Sequence, residues 1–509
     1  MSYKKSKQTP PFAPSLVAST VAAMASAFGL MYPHTGYAAD VVANGLTNTK
    51  VTSSSNGATV IQIATTKSDG TSYNGFTLFN ATNAKGTVFN NSLQTTTSSA
   101  WGTISGNTSL GMAATQIIAE VTGTQASTLS AGIGINGQKA SLVLINPNGI
   151  VVNGKVVTTN ISQATLVVGA SNRTGDLVTS LDTSKAKAGA NLTINGALQN
   201  PDGALALLSP AIKVASGGSV SAGSSSTLTV AVGNATFDPR SARLLAVDPS
   251  APSTVSVDAS LLGAMNAGVI NVISTRQGAG VNTGGTWTAQ QGIKVDIQGG
   301  SLDSSNAQFT AAGADGISLH ASNSLTLNGG KLTGGNVTVD GGQGVALSNG
   351  TINATGNATL HSGGDLALNG YNVNATQNIS ATADQHVDMR VLSTTTEVVD
   401  PTVSTETSTV NVSGSLGFGL FKPLGINVSG SAKLGASYSA GKSSTTTETV
   451  STLKAGQDVS VNAGGVTTLT GTTVSAGGNA TIQGTKAVNL LAAHDSASKN
   501  TVSLSLQGG

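Results

Sequence analysis

GISL at 316–319, NVTV at 336–339, NATL at 357–360 and NISA at 378–381 are four short runs of one kind, apolar at their second and fourth positions. Their second residues lie 20, 21 and 21 residues apart. Further runs, SLTL at 324–327, GVAL at 344–347 and DLAL at 365–368, keep the same spacing. The period returns later, where Val459, Ala480 and Thr501 follow one another in steps of 21 residues. The chain therefore contains an internal repeat of 20–21 residues.

An alternation with a period of two indicates that one face of each strand is buried. A unit of this length holds two or three short strands joined by Gly and Asn turns, which is one coil of a parallel β-solenoid. A coil cannot bury its apolar face alone, so stacked coils form a continuous core. The predicted fold is all-β, a right-handed parallel β-helix. An antiparallel β-sandwich is the alternative, because it too is built from short alternating strands.

The repeat is interrupted between residues 385 and 453. Threonine-rich runs at 394–396 and 445–447 flank this stretch almost symmetrically, and alternating runs at 410–420 and 426–438 lie between them. We expect an antiparallel excursion that leaves the β-helix and returns to it, with a disordered insertion as the alternative. Haemagglutinin-type repeats are then expected over 311–384 and again over 454–509.

The composition suits a narrow core. Aromatic residues make up 3% of the 509 residues and charged residues 9%, while Gly alone numbers 64. An apolar share of 39% is too high for a disordered linker, and Val, Ile, Leu and Ala fill a narrow β-helix well. Cysteine is absent, so disulfides and thiolate metal sites are excluded.

The N-terminus has the features of an export signal. A basic start, KKSK at 4–7, precedes a mostly apolar run over 15–31 and the small residues GYA at 36–38. We expect residues 1–38 to be a signal peptide cleaved after Ala38, with an uncleaved anchor helix as the alternative. No later stretch approaches the roughly 18 apolar residues that span a bilayer, so stable membrane insertion is not expected.

Charge argues against nucleic acid as a partner. The leader carries three of the 24 basic residues and none of the 22 acidic ones, so the mature chain is almost neutral. A surface with so little charge releases few counterions from a phosphate backbone.

Seven segments, in order along residues 40–310, carry a resemblance to a known family. The most specific is LINPNGI at 144–150, closed by VNG at 152–154. Together they resemble the N-terminal secretion domain of two-partner secretion exoproteins, the filamentous haemagglutinin family, which implies a secretion domain over 39–310. The other segments are SYNGF at 72–76 with FN at 79–80, VFNNS at 88–92, IIAEVTG at 117–123, VDAS at 257–260, MNAG at 265–268 and IST at 273–275.

The NPNGI motif predicts a tight turn between two buried strands. Pro147 presets φ for the first central position, Asn148 tolerates the second, and Gly149 can adopt positive φ on exit. The apolar runs VLI at 143–145 and IVV at 150–152 flank it. From the residues alone it is a turn on the surface.

The resemblance implies a second role for this turn. In the family it serves export through an outer-membrane β-barrel transporter with periplasmic POTRA domains, together with an earlier Asn-Pro-x-Leu turn. The earlier turn reads NTSL here, which keeps Asn107 and Leu110 but lacks the proline, so it is less pre-organised. The residues that match the first motif are Asn146, Pro147, Asn148, Gly149 and Ile150.

Residues that could support catalysis are scattered. The acids from Asp296 to Asp384 form no cluster in sequence, and neither a nucleophile elbow nor a phosphate-binding glycine loop is present. We expect no enzyme and no cofactor.

One polar column is predicted. His320, Asp340 and His361 each follow the last apolar residue of a repeated strand, 20 and 21 residues apart, so stacked coils bring them together at about 4.8 Å per step. We expect a hydrogen-bonded surface ladder and no metal site, because no further ligand converges on them. Sequons for N-glycosylation, frequent by chance in so Asn- and Thr-rich a chain, include those at Asn353, Asn357, Asn374 and Asn378.

The resemblance implies an adhesin or haemagglutinin-like exoprotein, secreted by or held on the surface of a Gram-negative bacterium after passage through Sec and the periplasm. Its expected partners are the POTRA/β-barrel transporter and a host or bacterial surface receptor or glycan. The alternatives are a short or truncated stalk of a contact-dependent toxin delivery protein and, more remotely, a polysaccharide-acting β-helix enzyme.

Overall fold

A computed structural model describes residues 40–98, 100–175, 177–247, 257–275, 280–405, 435–493 and 496–507. Every described strand lies within residues 41–509. The predicted signal peptide and its cleavage site at Ala38 lie outside the described residues. Across those described ranges, no helix is long and apolar enough to cross a bilayer.

Three strands make up one coil, and each lies on the corresponding strand of the next coil. In one coil Gly316–Ala321 is followed by Ser324–Asn328 and Lys331–Gly334, and the next coil begins at Val337. We call the three resulting ladders face 1, face 2 and face 3, in that order. Pairing along each ladder is parallel, with Ile317 opposite Val337 as an example. The predicted parallel β-helix is confirmed, and the antiparallel sandwich is excluded.

Faces 1 and 3 join into one sheet of 28 strands, whereas face 2 is a separate sheet of 13 strands. They join because Ala264–Ser274 and Thr286–Ile297 are long strands that bend around a corner and belong to both faces. The other strands of face 1 are Thr71–Phe79, Gln116–Val121, Ala140–Ile145, Ile161–Val167, Ala204–Ser209, Thr227–Val232, Gly316–Ala321, Val337–Gly341, Ala358–Ser362, Ile379–Ala383, Val459–Ala463 and Ala480–Gly484. The strands of face 2 are Ser127–Leu129, Ile150–Val152, Leu192–Ile194, Ile212–Val214, Val257–Leu261, Gly280–Thr283, Leu302–Ser305, Ser324–Asn328, Gly344–Ser348, Asp365–Asn369, Val387–Arg390, Val466–Thr470 and Ala487–Leu491. The other strands of face 3 are Thr59–Gln62, Thr87–Asn91, Ile133–Gly137, Lys155–Thr159, Ala197–Asn200, Ser219–Ala222, Gln308–Ala311, Lys331–Gly334, Thr351–Ala354, Asn372–Ala375, Thr452–Ala455 and Thr473–Ala476.

Side chains alternate between the core and the solvent along these strands. Val337 and Val339 are fully buried, whereas Thr338 between them is partly exposed. The same inward positions recur from coil to coil, so the core is a continuous column of mainly Val, Ile, Leu and Ala. The few aromatic residues widen it locally, as where Trp287 and Phe309 stack 4.3 Å apart in adjacent coils.

The excursion is antiparallel, as predicted. Leu392–Thr405 pairs with Gly435–Thr449, and the two threonine runs lie opposite each other, with Thr395 against Thr446. Most of the alternating residues between them lie outside the described ranges.

The limits predicted for the excursion, 385 and 453, are too wide. Val387–Arg390 pairs with face 2 strands on both sides, and Thr452–Ala455 does the same on face 3. Ser/Thr-rich composition marks this insertion but does not mark its ends, because the same residues also occupy outward positions of the coils.

The coils also end earlier than predicted. Ala480 pairs with Val459 as the 21-residue step predicts, but Thr501 pairs antiparallel with Gly441 of the excursion. Ser496–Gln507 is thus a third strand of the excursion sheet, and the expectation of coils through residue 509 is wrong there. A Ser/Thr-rich strand has too little pattern to specify its partner.

A four-stranded antiparallel sheet, which we call the cover, lies on the outer side of face 1. Its apolar side chains pack on outward-pointing residues of face 1 such as Val143 and Ile145, whose neighbours Leu142 and Leu144 point into the β-helix. A short 3-10 helix, Thr183–Lys185, follows its second strand. The strands of the cover are Ala170–Thr174, Leu177–Asp182, Ala235–Phe237 and Leu244–Val247.

Smaller antiparallel elements lie near the N-terminal coils. Val41–Ala43 pairs with Thr71–Phe79 of face 1, and Lys50–Ser53 pairs with Thr59–Gln62 of face 3. A hairpin of Thr96–Ser98 and Gly102–Ile104 carries Trp101, which packs with Val60 and Val88.

Candidate functional site

The NPNGI motif forms a corner between face 1 and face 2. Ala140–Ile145 ends directly before it, and the fully buried Ile150 begins the next strand. The N–H of Gly149 donates to the carbonyl of Asn146 at 3.3 Å, and Gly149 has a φ of +112°, as its position predicts. A Cβ there would also lie 3.1 Å from the carbonyl oxygen of Asn191. Glycine is therefore required by the turn itself.

Asn146 is the central side chain of this turn, and it is buried. Its Nδ2 donates to the carbonyl oxygen of Gln125 and to Oγ of Ser127, both at 2.9 Å and both in the preceding coil. Its Oδ1 accepts the N–H of Asn148 at 2.9 Å, and its own N–H donates to the carbonyl of Val167 in the following coil, also at 2.9 Å. With an exposed fraction of 0%, Asn146 ties three coils together. The expectation of a surface turn is wrong for this residue, because its amide satisfies buried backbone groups.

The flanking residues add contacts on both sides. Nδ2 of Asn148 donates to the carbonyls of Gly123 at 3.0 Å and Gln125 at 3.2 Å. The carbonyl of Pro147 accepts the N–H of Lys187 at 2.8 Å. The motif is therefore bonded to the coil before it and to the chain after it.

The NTSL turn has the same local hydrogen bonds without a proline. Nδ2 of Asn107 donates to the carbonyls of Ile63 at 2.8 Å and Asn90 at 3.2 Å. Its Oδ1 accepts the N–H of Ser109 at 3.1 Å, and its carbonyl accepts the N–H of Leu110 at 3.3 Å, as in the first turn. Both Asn107 and Leu110 are buried. The two turns therefore share their local hydrogen bonds but differ at the fourth position, where the first has Gly149 with positive φ and the second has Leu110.

A buried carboxylate joins face 1 to the cover. Glu120 accepts the hydroxyl of Tyr73 at 2.7 Å, and the N–H and hydroxyl of Ser171 at 2.8 and 2.6 Å. Burial, and then the neighbouring charge of Glu120, raise the pKa of Tyr73, and the guanidinium of Arg173 lies 3.9 Å from the centre of its ring. Sequence reasoning missed this cluster, because Ser171 lies 51 residues after Glu120 and no spacing connects them.

The polar column on face 1 is stacked as predicted. Asp340 lies opposite His320 on one side and His361 on the other. The two imidazoles place Nδ1 at 2.8 and 2.7 Å from its two oxygens. Burial acts to raise the pKa of Asp340, but the hydrogen bonds and charges of both histidines outweigh it and lower the pKa. Among the residues that the structure describes, no group of three His, Asp or Glu side chains could hold a metal ion.

The predicted sequons belong partly to ladders of asparagine side chains. The N–H of Asn357 donates to Oδ1 of Asn336 at 2.9 Å, and Asn378 repeats this contact one coil later, donating its N–H and Nδ2 to Oδ1 of Asn357 at 3.1 Å each. Nδ2 of Asn374 donates to Oδ1 of Asn353 at 3.0 Å. A glycan on Nδ2 of Asn374 or Asn378 would compete with these bonds.

Two family models match this chain, and curated relatives share part of its sequence. A family model described as the TPS secretion domain matches residues 39–304, and one described as the hemagglutinin repeat matches residues 348–506. Relatives include a hemolysin of Serratia marcescens, 35% identical over 51% of this chain, and the filamentous hemagglutinin of Bordetella pertussis, 32% identical over 55%. A tRNA nuclease CdiA of Escherichia coli is 31% identical over 59% of this chain. The matched regions span only 16%, 8% and 9% of these relatives.

A crystal structure of a filamentous hemagglutinin secretion domain is 26% identical, with a TM-score of 0.45 over 64% of this chain and 98% of that one. The secretion-domain model covers more than half of the 509 residues. The chain therefore belongs to the two-partner secretion family, the exoproteins of Gram-negative bacteria that a partner transporter in the outer membrane delivers to the cell surface or the medium.

Proposed function

We propose that this chain is an exported adhesin, or haemagglutinin-like exoprotein, whose residues 39–310 are recognised by a POTRA-containing β-barrel transporter. The match of the secretion-domain model to the part of the chain that builds both asparagine turns carries this proposal. Export through Sec and the periplasm, with loss of residues 1–38, belongs to the same proposal.

The geometry of the two turns suggests how an unfolded chain is recognised. Some bonds of the first turn stay within four residues, such as the N–H of Asn148 to Oδ1 of Asn146. These local bonds can form before any coil has stacked, as in the Asx turns of short peptides. The bonds of Asn146 to Gln125 and Ser127 need a neighbouring coil. The local half of the turn thus serves the transporter, and the long-range half serves the folded coil.

The coils after the secretion domain support adhesion as the delivered function. From residue 348 onward they match the hemagglutinin repeat, and they present polar columns, such as Thr359, Ser380 and Ser460, at regular spacing on face 1. A host or bacterial surface receptor or glycan is the partner that we propose for them. We propose no enzymatic activity for this chain.

The second candidate is the stalk of a contact-dependent toxin delivery protein. The similarity to the relative named tRNA nuclease CdiA, which is far longer than this chain, favours it. An adhesin binds cells or glycans without a toxin, whereas a stalk carries a toxin that inhibits the growth of neighbouring bacteria. Binding of the exported protein to host cells and growth of competitor bacteria are therefore measured side by side.

Export is tested by co-expressing the chain with its partner transporter and scoring protein in the medium. Pro147→Ala weakens the local turn but leaves Asn146 in place, so we expect several-fold less export and an unchanged melting temperature. Thr124→Ala, at an exposed position of the preceding coil and outside the quoted motif segments, is the control. Normal export of Pro147→Ala, or export without any transporter, would contradict the proposal.

A further inference from the structure

The cover consists of two hairpins that leave the coils at different points. Ala170–Thr174 and Leu177–Asp182 follow the face 1 strand Ile161–Val167, and the segment 235–247 follows the face 1 strand Thr227–Val232. We call the segment 235–247 the strap. We propose that the strap closes over coils that have already stacked, in a separate and later step of folding, and locks the N-terminal coils together.

The strap reaches back to the beginning of face 1. The guanidinium of Arg240 donates to the carbonyl of Asp69 at 2.7 Å and lies 3.3 Å from its carboxylate. Nε2 of Gln116 also donates to the carbonyl of Pro239 at 2.6 Å. Asp69 precedes Arg240 by 171 residues. It lies just before the face 1 strand at 71–79, whereas the strap follows the face 1 strand at 227–232, so the strap crosses the ladder between these two strands. Five steps of a ladder correspond to about 24 Å.

The surface beneath the cover is apolar, unlike the outer side of later coils. Ile118, Val143 and Val167 point outward from face 1, yet their exposed fraction is 0% because the cover lies on them. In later coils the outward positions of face 1 are polar, as at Thr338. Phe237 of the strap is 1% exposed and belongs to this outer apolar cluster. Without the strap, part of this surface meets water.

The contacts give an order to the two events. The parallel pairs from Thr71–Phe79 to Thr227–Val232 use no residue of the strap. The strap, by contrast, needs Asp69 and Gln116, which only the stacked ladder holds at the right separation. Stacking therefore comes first, and closure follows as a local unit that opens and closes on its own.

The strap is fastened to the first hairpin as well. Leu181 pairs with Phe237, and Oγ1 of Thr183 donates to the carbonyl of Gly233 at 2.7 Å and accepts the N–H of Ala235 at 2.9 Å. In the export proposed above, this closure can occur only once residue 247 has left the transporter. Refolding in solution tests closure without any transporter, so its outcome is independent of the export proposal.

The experiment follows amide protection by pulsed hydrogen exchange while the full chain refolds from urea. We expect the amides of 116–121 and 140–145 to become protected in a first phase, and those of 235–237 and 244–247 in a slower one. Phe237→Ala should slow or abolish the second phase, while the rate of the first phase should change less than about two-fold. The refolded variant should also bind several-fold more of a dye that reports exposed apolar surface. Arg240→Ala, which alters a half-exposed contact, should slow the second phase without preventing folding.

Phe309→Ala is the matched control, because this phenylalanine is equally buried but lies inside the coils, away from the cover. It should lower the hydrogen-exchange protection of the strand amides around residue 309 and leave the order of the two phases unchanged. Protection of strap and ladder in one phase, or loss of ladder protection at 116–121 in Arg240→Ala, would overturn the proposal.

Discussion

At corners between the faces of this protein, asparagine side chains make hydrogen bonds that backbone pairing cannot make. At Asn146 and Asn107 the strand ladder ends, and carbonyls of an earlier part of the chain accept hydrogen bonds from the side-chain amide instead of from a backbone N–H. Buried backbone groups that lack a partner are costly, so a buried asparagine at such a corner is a stabilising residue. The sequence suggested a turn at both places but not its burial, because Asn-Pro and Asn-x-Ser patterns are typical of exposed turns too.

Asn146→Ala should lower the free energy of unfolding by about 1–3 kcal/mol, because it leaves the buried hydroxyl of Ser127 without its amide donor and the N–H of Asn148 without its acceptor. Urea unfolding of the purified chain measures this loss. Asn153→Ala, at an exposed position in the same coil, should cost less than about 0.5 kcal/mol. Equal losses for the two variants would show that the amide of Asn146 has no structural role.

Asp340 should make stability depend on pH. Its pKa is lowered in the folded chain, so its ionised form stabilises the fold above the ordinary pKa of an aspartate, and this contribution is lost as the pH falls through that range. The free energy of unfolding of the parent chain should therefore exceed that of Asp340→Asn at pH 6, and the gap should narrow toward pH 3. The side chain is a third exposed, so the gap is below about 1 kcal/mol.

Thr359→Ala, an uncharged outward position in the same strand as His361, is the control for Asp340→Asn. Its difference from the parent chain should stay constant between pH 6 and pH 3. A constant difference for Asp340→Asn as well would mean that the histidine contacts do not stabilise the ionised carboxylate.

At the scale of elements, the sequence predicts coils well and insertions poorly. The inward Val, Ile and Leu residues at 316–381 show the 20–21-residue period directly, because each coil there consists of three strands without an insertion. Over 71–247 the cover interrupts the coils, so no constant period remains and only the resemblance indicated their presence. The partner of Ser496–Gln507 could not be predicted at all, because its pairing depends on the excursion and not on the 21-residue step.

The excursion should be removable without loss of the coils. The preceding coil makes the equivalent corner with Asn369, Gly370 and Tyr371, which align with Arg390 and Ser451 on the two sides of the insertion. The test variant therefore has one glycine in place of residues 391–450. The variant should keep its β-sheet circular dichroism and a cooperative unfolding transition, because the loop-closure cost of a one-residue connection is on the order of 3–4 kcal/mol lower than that of the insertion. The same replacement of 204–209, a strand inside the coils, should abolish the transition.

At the scale of the whole chain, the described coils form one regular stack that continues past every insertion. Outward residues of face 2 follow one another from Lys213 to Asn489 along a single ladder. The number of residues between two neighbouring strands of this ladder varies widely. Asp388 and Thr468 are neighbours across the excursion, for instance, whereas Thr326 and Ala346 are neighbours within a plain repeat. Distance in the molecule should therefore follow the number of coils and not the number of residues.

Spin-label distances along face 2 test this most directly, and the absence of cysteine makes every introduced pair unique. Cysteine pairs at Lys213 and Thr326, at Thr326 and Asn489, and at Lys213 and Asn489 are separated by four, five and nine steps of the ladder. At about 4.8 Å per step the distances should be about 19, 24 and 43 Å, with the third close to the sum of the first two. Distances that grow with the residues between the labels, or a third distance far from that sum, would contradict a continuous parallel stack.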